Sequence, residues 1–139
     1  MTEITEVEKN RASKWFLNLR NEIVSAFEEL EQSHFKGPFS ELNPGKFEVN
    51  ETKREEKSGV DAGGGLMSVM RNGRVFEKVG VNVSTVYGNL NEAAQHSMAE
   101  RLGIPEMRDD PKFWASGISL VAHVRLSLIH ISEPTRLSA

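Results

Sequence analysis

Residues Leu66 to Tyr87, LMSVMRNGRVFEKVGVNVSTVY, read as two strands and the turn between them. Leu66–Arg71 and Val75–Tyr87 are rich in Val, Met and Phe, and β-branched and aromatic side chains suit a pleated, half-buried surface. Asn72-Gly73 lies between them, a pair that favours a type I′ hairpin turn because both central residues must take positive φ. The spacing therefore predicts an antiparallel hairpin. Side chains alternate along a strand, so Val75, Val79, Val81 and Val83 share one face while Lys78, Asn82 and Ser84 share the other. The first face reads as core. The second offers hydrogen-bonding groups, and pattern does not choose for Asn82 and Ser84 between meeting a ligand and pairing across the sheet.

Outward from the hairpin, Thr5-Glu6-Val7-Glu8 has the form of a capping box and predicts a helix start. Phe16, Leu19, Ile23, Phe27 and Leu30 then recur at helical spacing, an amphipathic helix that lies on something. Gly37-Pro38 and Asn43-Pro44-Gly45 punctuate the next segment, and Phe47 to Arg54 reads as a short, charged strand. A second helix is predicted from about Asn91 to Leu102, with Leu90, Ala94, Met98 and Leu102 on one stripe and Gly103 and Pro105 ending it.

Phe113 to Arg125, FWASGISLVAHVR, reads as a further strand with Ser119 and His123 on one face. At about 3.3 Å per residue they lie roughly 13 Å apart, a separation that suits a large flat ligand better than a single atom. Strands joined by a hairpin, with helices before and after, predict an α+β domain with a largely antiparallel sheet.

At 139 residues, with 38% apolar and 27% charged content, the chain has the composition of one soluble domain with a real core. A net charge of −3, with Lys and Arg scattered among acids, gives no basic footprint and argues against nucleic acid. An anionic small molecule needs only a local Arg or two. The lack of cysteine excludes disulfides, a thiolate nucleophile and Cys-ligated metal centres. No apolar run is long enough to span a bilayer, and the polar start MTEITEVEKN lacks an apolar leader, so a cytoplasmic location is the default expectation.

Motifs of common chemistry are scarce. Gly63-Gly64-Gly65 lacks the Gly-Lys-Ser/Thr ending of a phosphate loop and leads into a strand, so it reads as a flexible turn or a close backbone approach. His34, His96, His123 and His130 show no metal-ligand spacing, and pattern alone makes His123 a hydrogen-bonded strand histidine and Ser119 an ordinary strand serine. Arg71 and Arg74 flank the hairpin turn, where they could grip a carboxylate, although a solvated turn is the commoner case.

Two blocks carry more than pattern: GGGLMSVMRNGRVFEKVGVNVSTVYG, from Gly63 to Gly88, and FWASGISLVAH, from Phe113 to His123. Both closely resemble the oxygen-dependent coproporphyrinogen III oxidases of haem biosynthesis, GRVFEKVGVNVS from Gly73 to Ser84 being the most specific stretch. The resemblance covers Met1 to about Arg125 and implies an N-terminal portion of a single domain, a truncated part of a large antiparallel sheet flanked by helices. It implies an enzyme that oxidatively decarboxylates two propionates of coproporphyrinogen III to vinyl groups, giving protoporphyrinogen IX. Molecular oxygen would be the co-substrate, with no organic cofactor, and the full-length protein a homodimer. By resemblance Ser119 contacts substrate and His123 is a divalent-metal ligand.

After the matching His-x-Arg the family continues with Asn-Pro, a proton-donor histidine and an Asn-x-Arg that binds substrate, whereas this chain has Leu126-Ser127-Leu128-Ile129. The proton-donor position falls at Glu133, and His130 is out of register. No catalytic residue is therefore expected within this chain. LSLIHISEPTR resembles a translated sequencing-library adapter, so residues 126–139 are expected to be a foreign or divergent, disordered tail. Three functions follow as expectations: an oxidase fragment that is inactive by itself, a catalytically dead porphyrin-binding module, or a non-functional, unstable truncation product.

Overall fold

The Thr5 hydroxyl accepts the Glu8 N–H while the Glu8 carboxylate accepts the Thr5 N–H, the reciprocal cap that starts α1 (Glu6–Ser33). The computed structural model of the chain describes residues 4–125; the expected tail at 126–139, with His130 and the proton-donor position at Glu133, lies outside the described residues. Four strands follow α1: β1 (Phe47–Glu55), β2 (Asp61–Arg71), β3 (Phe76–Asn89) and β4 (Lys112–Val124). They form one sheet in the order β1-β2-β3-β4, every neighbouring pair antiparallel. A helix, α2 (Glu92–Leu102), and a 3-10 turn at Pro105–Arg108 connect β3 to β4. The α+β class agrees with the sequence.

α1 lies across one face of this sheet. Met70, Val79 and Val81 are fully buried beneath it, with Phe76 beside them, and Ile23, Val24 and Phe27 of the helix close over that cluster. Fully burying each such side chain contributes roughly 1.5–3 kcal/mol, so the stripe read from the sequence is what docks the helix. The Phe27 ring meets Phe76 edge-on at 4.9 Å between centroids. Polar pins set the register: Arg20 donates to the Ser68 hydroxyl from Nε at 3.1 Å and from a terminal nitrogen at 2.7 Å.

The helix stripe ends differently from its expected form. Leu30 is 53% exposed, whereas Glu31 is fully buried. The Glu31 carboxylate accepts backbone N–H groups from Gly45 (2.7 Å), Val75 (2.7 Å), Phe76 (3.0 Å) and Arg74. A buried carboxylate is tolerated only when hydrogen-bonded, and these four donors supply that condition. Burial pushes the Glu31 carboxyl pKa up, but the N–H groups of Gly45, Val75, Phe76 and Arg74 more than offset this and hold it below its ordinary value.

Glu31 also explains why the hairpin turn departs from type I′. Residues 72–75 form a longer loop closed by Asn72 N–H to Glu77 O and Gly73 N–H to Phe76 O, both 2.9 Å. Asn72 has φ of 55°, but Gly73 is not in the left-handed region. Gly73 is needed for a different reason: a Cβ there would run into the Glu31 carboxylate. The β3–β4 register shifts between Phe76 and Lys78, so that Phe76 points into the core and Lys78 away from it.

α2 is capped as its sequence requires, the Asn91 side chain accepting the Ala94 N–H at 2.8 Å and Gly103 taking φ of 66°. Its buried side is Gln95 and Ala99 rather than the expected stripe, and Met98 and Leu102 are 37% and 57% exposed. The helix packs mainly on the Pro105–Arg108 turn.

Candidate functional site

The face of the sheet opposite α1 is where the polar residues of β3 and β4 meet. Strand register stacks three cross-strand rows: Met67–Asn82–Ser119, Val69–Gly80–Val121 and Arg71–Lys78–His123. With strands about 4.8 Å apart and alternate residues roughly 6.6 Å apart along them, the patch measures roughly 10 by 13 Å. It forms a hollow of about 530 Å³ whose rim includes Asn50 and Glu48 of β1. Asn82, Ser119, Lys78, Arg71 and His123 are all exposed, and Val121 is 58% exposed.

The floor is low because it carries a glycine in its middle. A side chain built at Gly80 would meet nothing within 4 Å, and the same holds at Gly117 farther up β4. Val69 and Val121 flank Gly80 and give the floor an apolar character. One end of the hollow is neutral and hydrogen-bonding, through Asn82, Ser119 and Asn50, and the other is cationic, through Arg71 and Lys78. Such a surface suits a flat, apolar-bodied molecule with anionic arms.

Both residues singled out on β4 therefore lie on this face: Ser119 opposite Asn82, and His123 opposite Lys78. Asn82 and Ser84 face outward as well, Ser84 opposite Gly117. The two arginines of the hairpin part company. Arg71 lines the hollow, while Arg74 is spent on the backbone, donating from Nε to Leu42 O at 2.6 Å and from a terminal nitrogen to His34 O at 3.4 Å. The glycine run is a close backbone approach within β2: a Cβ on Gly65 would sit 2.8 Å from Ser84 Cα. Arg125 closes the end of β4 onto the hairpin loop, its Nε donating to Gly73 O at 2.7 Å and its guanidinium lying 4.8 Å from the Phe39 ring centre.

A divalent metal at His123 does not fit the residues described around it. Among the described residues no three His, Asp or Glu side chains cluster to hold an ion, and the residue directly opposite His123 is Lys78. A dication at His123 would be repelled by the Lys78 ammonium on the neighbouring strand.

Sequence reading missed the alignment of Lys78 and Arg71 with His123, and it missed Glu31. Only the pairing of Arg71 with Lys78 was available in principle, since a hairpin pairs residues nearly equidistant from its turn, whereas β3 and β4 are joined through α2 and their register is not local. The signal for Glu31 was a glutamate four residues after Phe27, on the buried stripe itself.

These features define an α+β domain that presents a flat, amphipathic face on one side of an antiparallel sheet. The sequence model of the family described as coproporphyrinogen III oxidase matches residues 11–133, and the chain belongs to that family. It is 46% identical over 123 residues to the oxygen-dependent coproporphyrinogen-III oxidase of Rickettsia bellii strain RML369-C, covering 87% of this chain and 39% of the relative. The proteins of the same name from Rickettsia felis and Rickettsia peacockii are 43% and 42% identical, each match covering 87% of this chain and 38% of the relative. The chain thus spans about two fifths of the length of the curated relatives it matches.

Proposed function

We propose that this chain supplies one wall of the substrate site of an oxygen-dependent coproporphyrinogen III oxidase. That enzyme oxidatively decarboxylates two propionate arms of coproporphyrinogen III to vinyl groups, with molecular oxygen as acceptor and no organic cofactor. The observation that carries the reading is the hollow on the uncovered sheet face, where Asn82 and Ser119 stand opposite each other beside the low floor at Gly80. Its extent matches a tetrapyrrole rather than a single ion. Ser119 contacts the substrate in this reading, the macrocycle lies over Gly80, and the protein's contribution is orientation and carboxylate binding.

The chain by itself binds without turnover. The wall holds the ligand from one side and leaves the other open to water, and the position matching the family's proton donor is Glu133. Incubating the chain with coproporphyrinogen III in air and separating the products tests this, with no protoporphyrin above the protein-free blank expected. Saturable binding of coproporphyrin III in the same samples is the positive result, and its absence sinks the reading. A homodimer rests on the family resemblance and a cytoplasmic location on the lack of a membrane-length apolar run in the sequence, and sedimentation of the chain tests the former.

The family sequence is proposed to end at Arg125 and the segment 126–139 to be foreign, on the strength of LSLIHISEPTR. The family match runs on to residue 133, so the two readings part over residues 126–133. A native reading frame continuing through that segment in unamplified genomic DNA contradicts the proposal.

A further inference from the structure

We propose that the row Arg71, Lys78 and His123 is a carboxylate-gripping site, which takes a propionate arm of the bound tetrapyrrole in place of a divalent metal at His123. The inference rests on the porphyrinogen reading of this face. The three residues are successive cross-strand partners, so their side chains leave the sheet side by side. All three line the 530 Å³ hollow and also a neighbouring hollow of about 350 Å³ bounded by Asn72 and Glu77. The row thus stands between the floor that suits a macrocycle and a second recess beyond its edge, where a propionate arm would reach.

The side chains are free to serve. Among the described residues none of the three makes an internal hydrogen bond, and the one ion pair is Lys9–Glu6. Glu48 lines the larger hollow and Glu77 the smaller, yet neither comes within 4 Å of the row's charged nitrogens. Arg71 offers a planar fork and Lys78 a point charge, which together match a carboxylate's two oxygens, and the His123 ring nitrogen adds a further hydrogen-bonding partner. The same two cations oppose a divalent ion at His123, and no carboxylate completes a ligand set among the described residues.

Fluorescence titration of the full 139-residue chain with coproporphyrin III, and with its uncharged tetramethyl ester in the same mild detergent, tests the clamp. Lys78→Met and Arg71→Met are each expected to weaken coproporphyrin binding about tenfold and to leave ester binding unchanged. Lys78→Arg, which keeps the cation and its donors, is expected to hold binding within about threefold, which guards against a variant that merely unfolds. Wild-type binding that the methionine variants do not alter overturns the clamp while leaving the porphyrin-binding face intact, and no binding by wild type overturns both. Saturable Zn2+ or Mn2+ binding that is lost in His123→Ala and tightened in Lys78→Met also overturns the clamp, in favour of a metal site.

Discussion

Glu31 and Val75 are joined across the α1–sheet interface by a hydrogen bond of 2.7 Å, the Val75 N–H donating to a fully buried carboxylate that also holds Phe76, Arg74 and Gly45. One helix side chain thereby fixes both the β2–β3 loop and the approach to β1. The hairpin so fixed carries the pairs Arg71–Lys78 and Met67–Asn82. The β2–β3 part of the uncovered face is thus tied to a carboxylate lying on the opposite side of the sheet.

Replacing Glu31 with Gln is expected to destabilise the fold by about 3 kcal/mol, because the amide nitrogen cannot accept and leaves buried N–H groups without partners. Chemical denaturation of the two proteins measures the difference. A loss under about 0.5 kcal/mol contradicts the role given to Glu31.

The same residue makes the fold sensitive to acid. Its folded pKa lies below the ordinary value, so its contribution is fully present above about pH 4.3 and is lost as the pH falls from there through the folded pKa. Stability measured by denaturant titration is expected to fall across that window in wild type and to fall less steeply in Glu31→Gln. Parallel pH dependences in the two proteins would show that other groups govern acid unfolding.

Gly73→Ala is expected to cost roughly 1–3 kcal/mol, since the added methyl meets the Glu31 carboxylate rather than a left-handed backbone. Combining it with Glu31→Ala, which removes the obstacle, should recover most of the Gly73→Ala increment. Additive losses in the thermodynamic cycle would place the strain elsewhere.

Asn82→Ala and Ser119→Ala remove hydrogen-bonding groups from the open face without touching the buried cluster. Each is expected to leave the melting temperature within about 2 °C of wild type and to weaken coproporphyrin III binding roughly three- to tenfold. Unaltered affinity in both variants would remove this pair from the site.

Much of this fold was legible in the chain because it rests on local chemistry. Thr5 and Glu8 cap the helix that their spacing predicts, and the alternation from Val79 to Ser84 separates the faces that the sheet presents. The misreadings share one cause: periodicity tells which residues share a face but not what a face meets. Leu30 fits the apolar stripe, yet the helix ends over a loop that needs a hydrogen-bond acceptor, so Glu31 is the residue turned inward. Asn72-Gly73 suits a tight turn, yet that acceptor draws the next three amides into a wider loop. Ser119 and His123 could be placed on one face from β4 alone, whereas the pairing of His123 with Lys78 and Arg71 needs the register of three strands at once.

The claim that the uncovered sheet face receives a tetrapyrrole is tested most directly by titrating coproporphyrin III into wild type and Gly80→Leu. Gly80 has open space where its side chain would stand, so leucine should leave the fold intact, checked by an unchanged circular dichroism melt, while filling the floor of the hollow. The account predicts saturable one-site binding to wild type and a loss of at least about tenfold in the variant. Equal binding by both proteins, or no saturable binding to wild type, would contradict it.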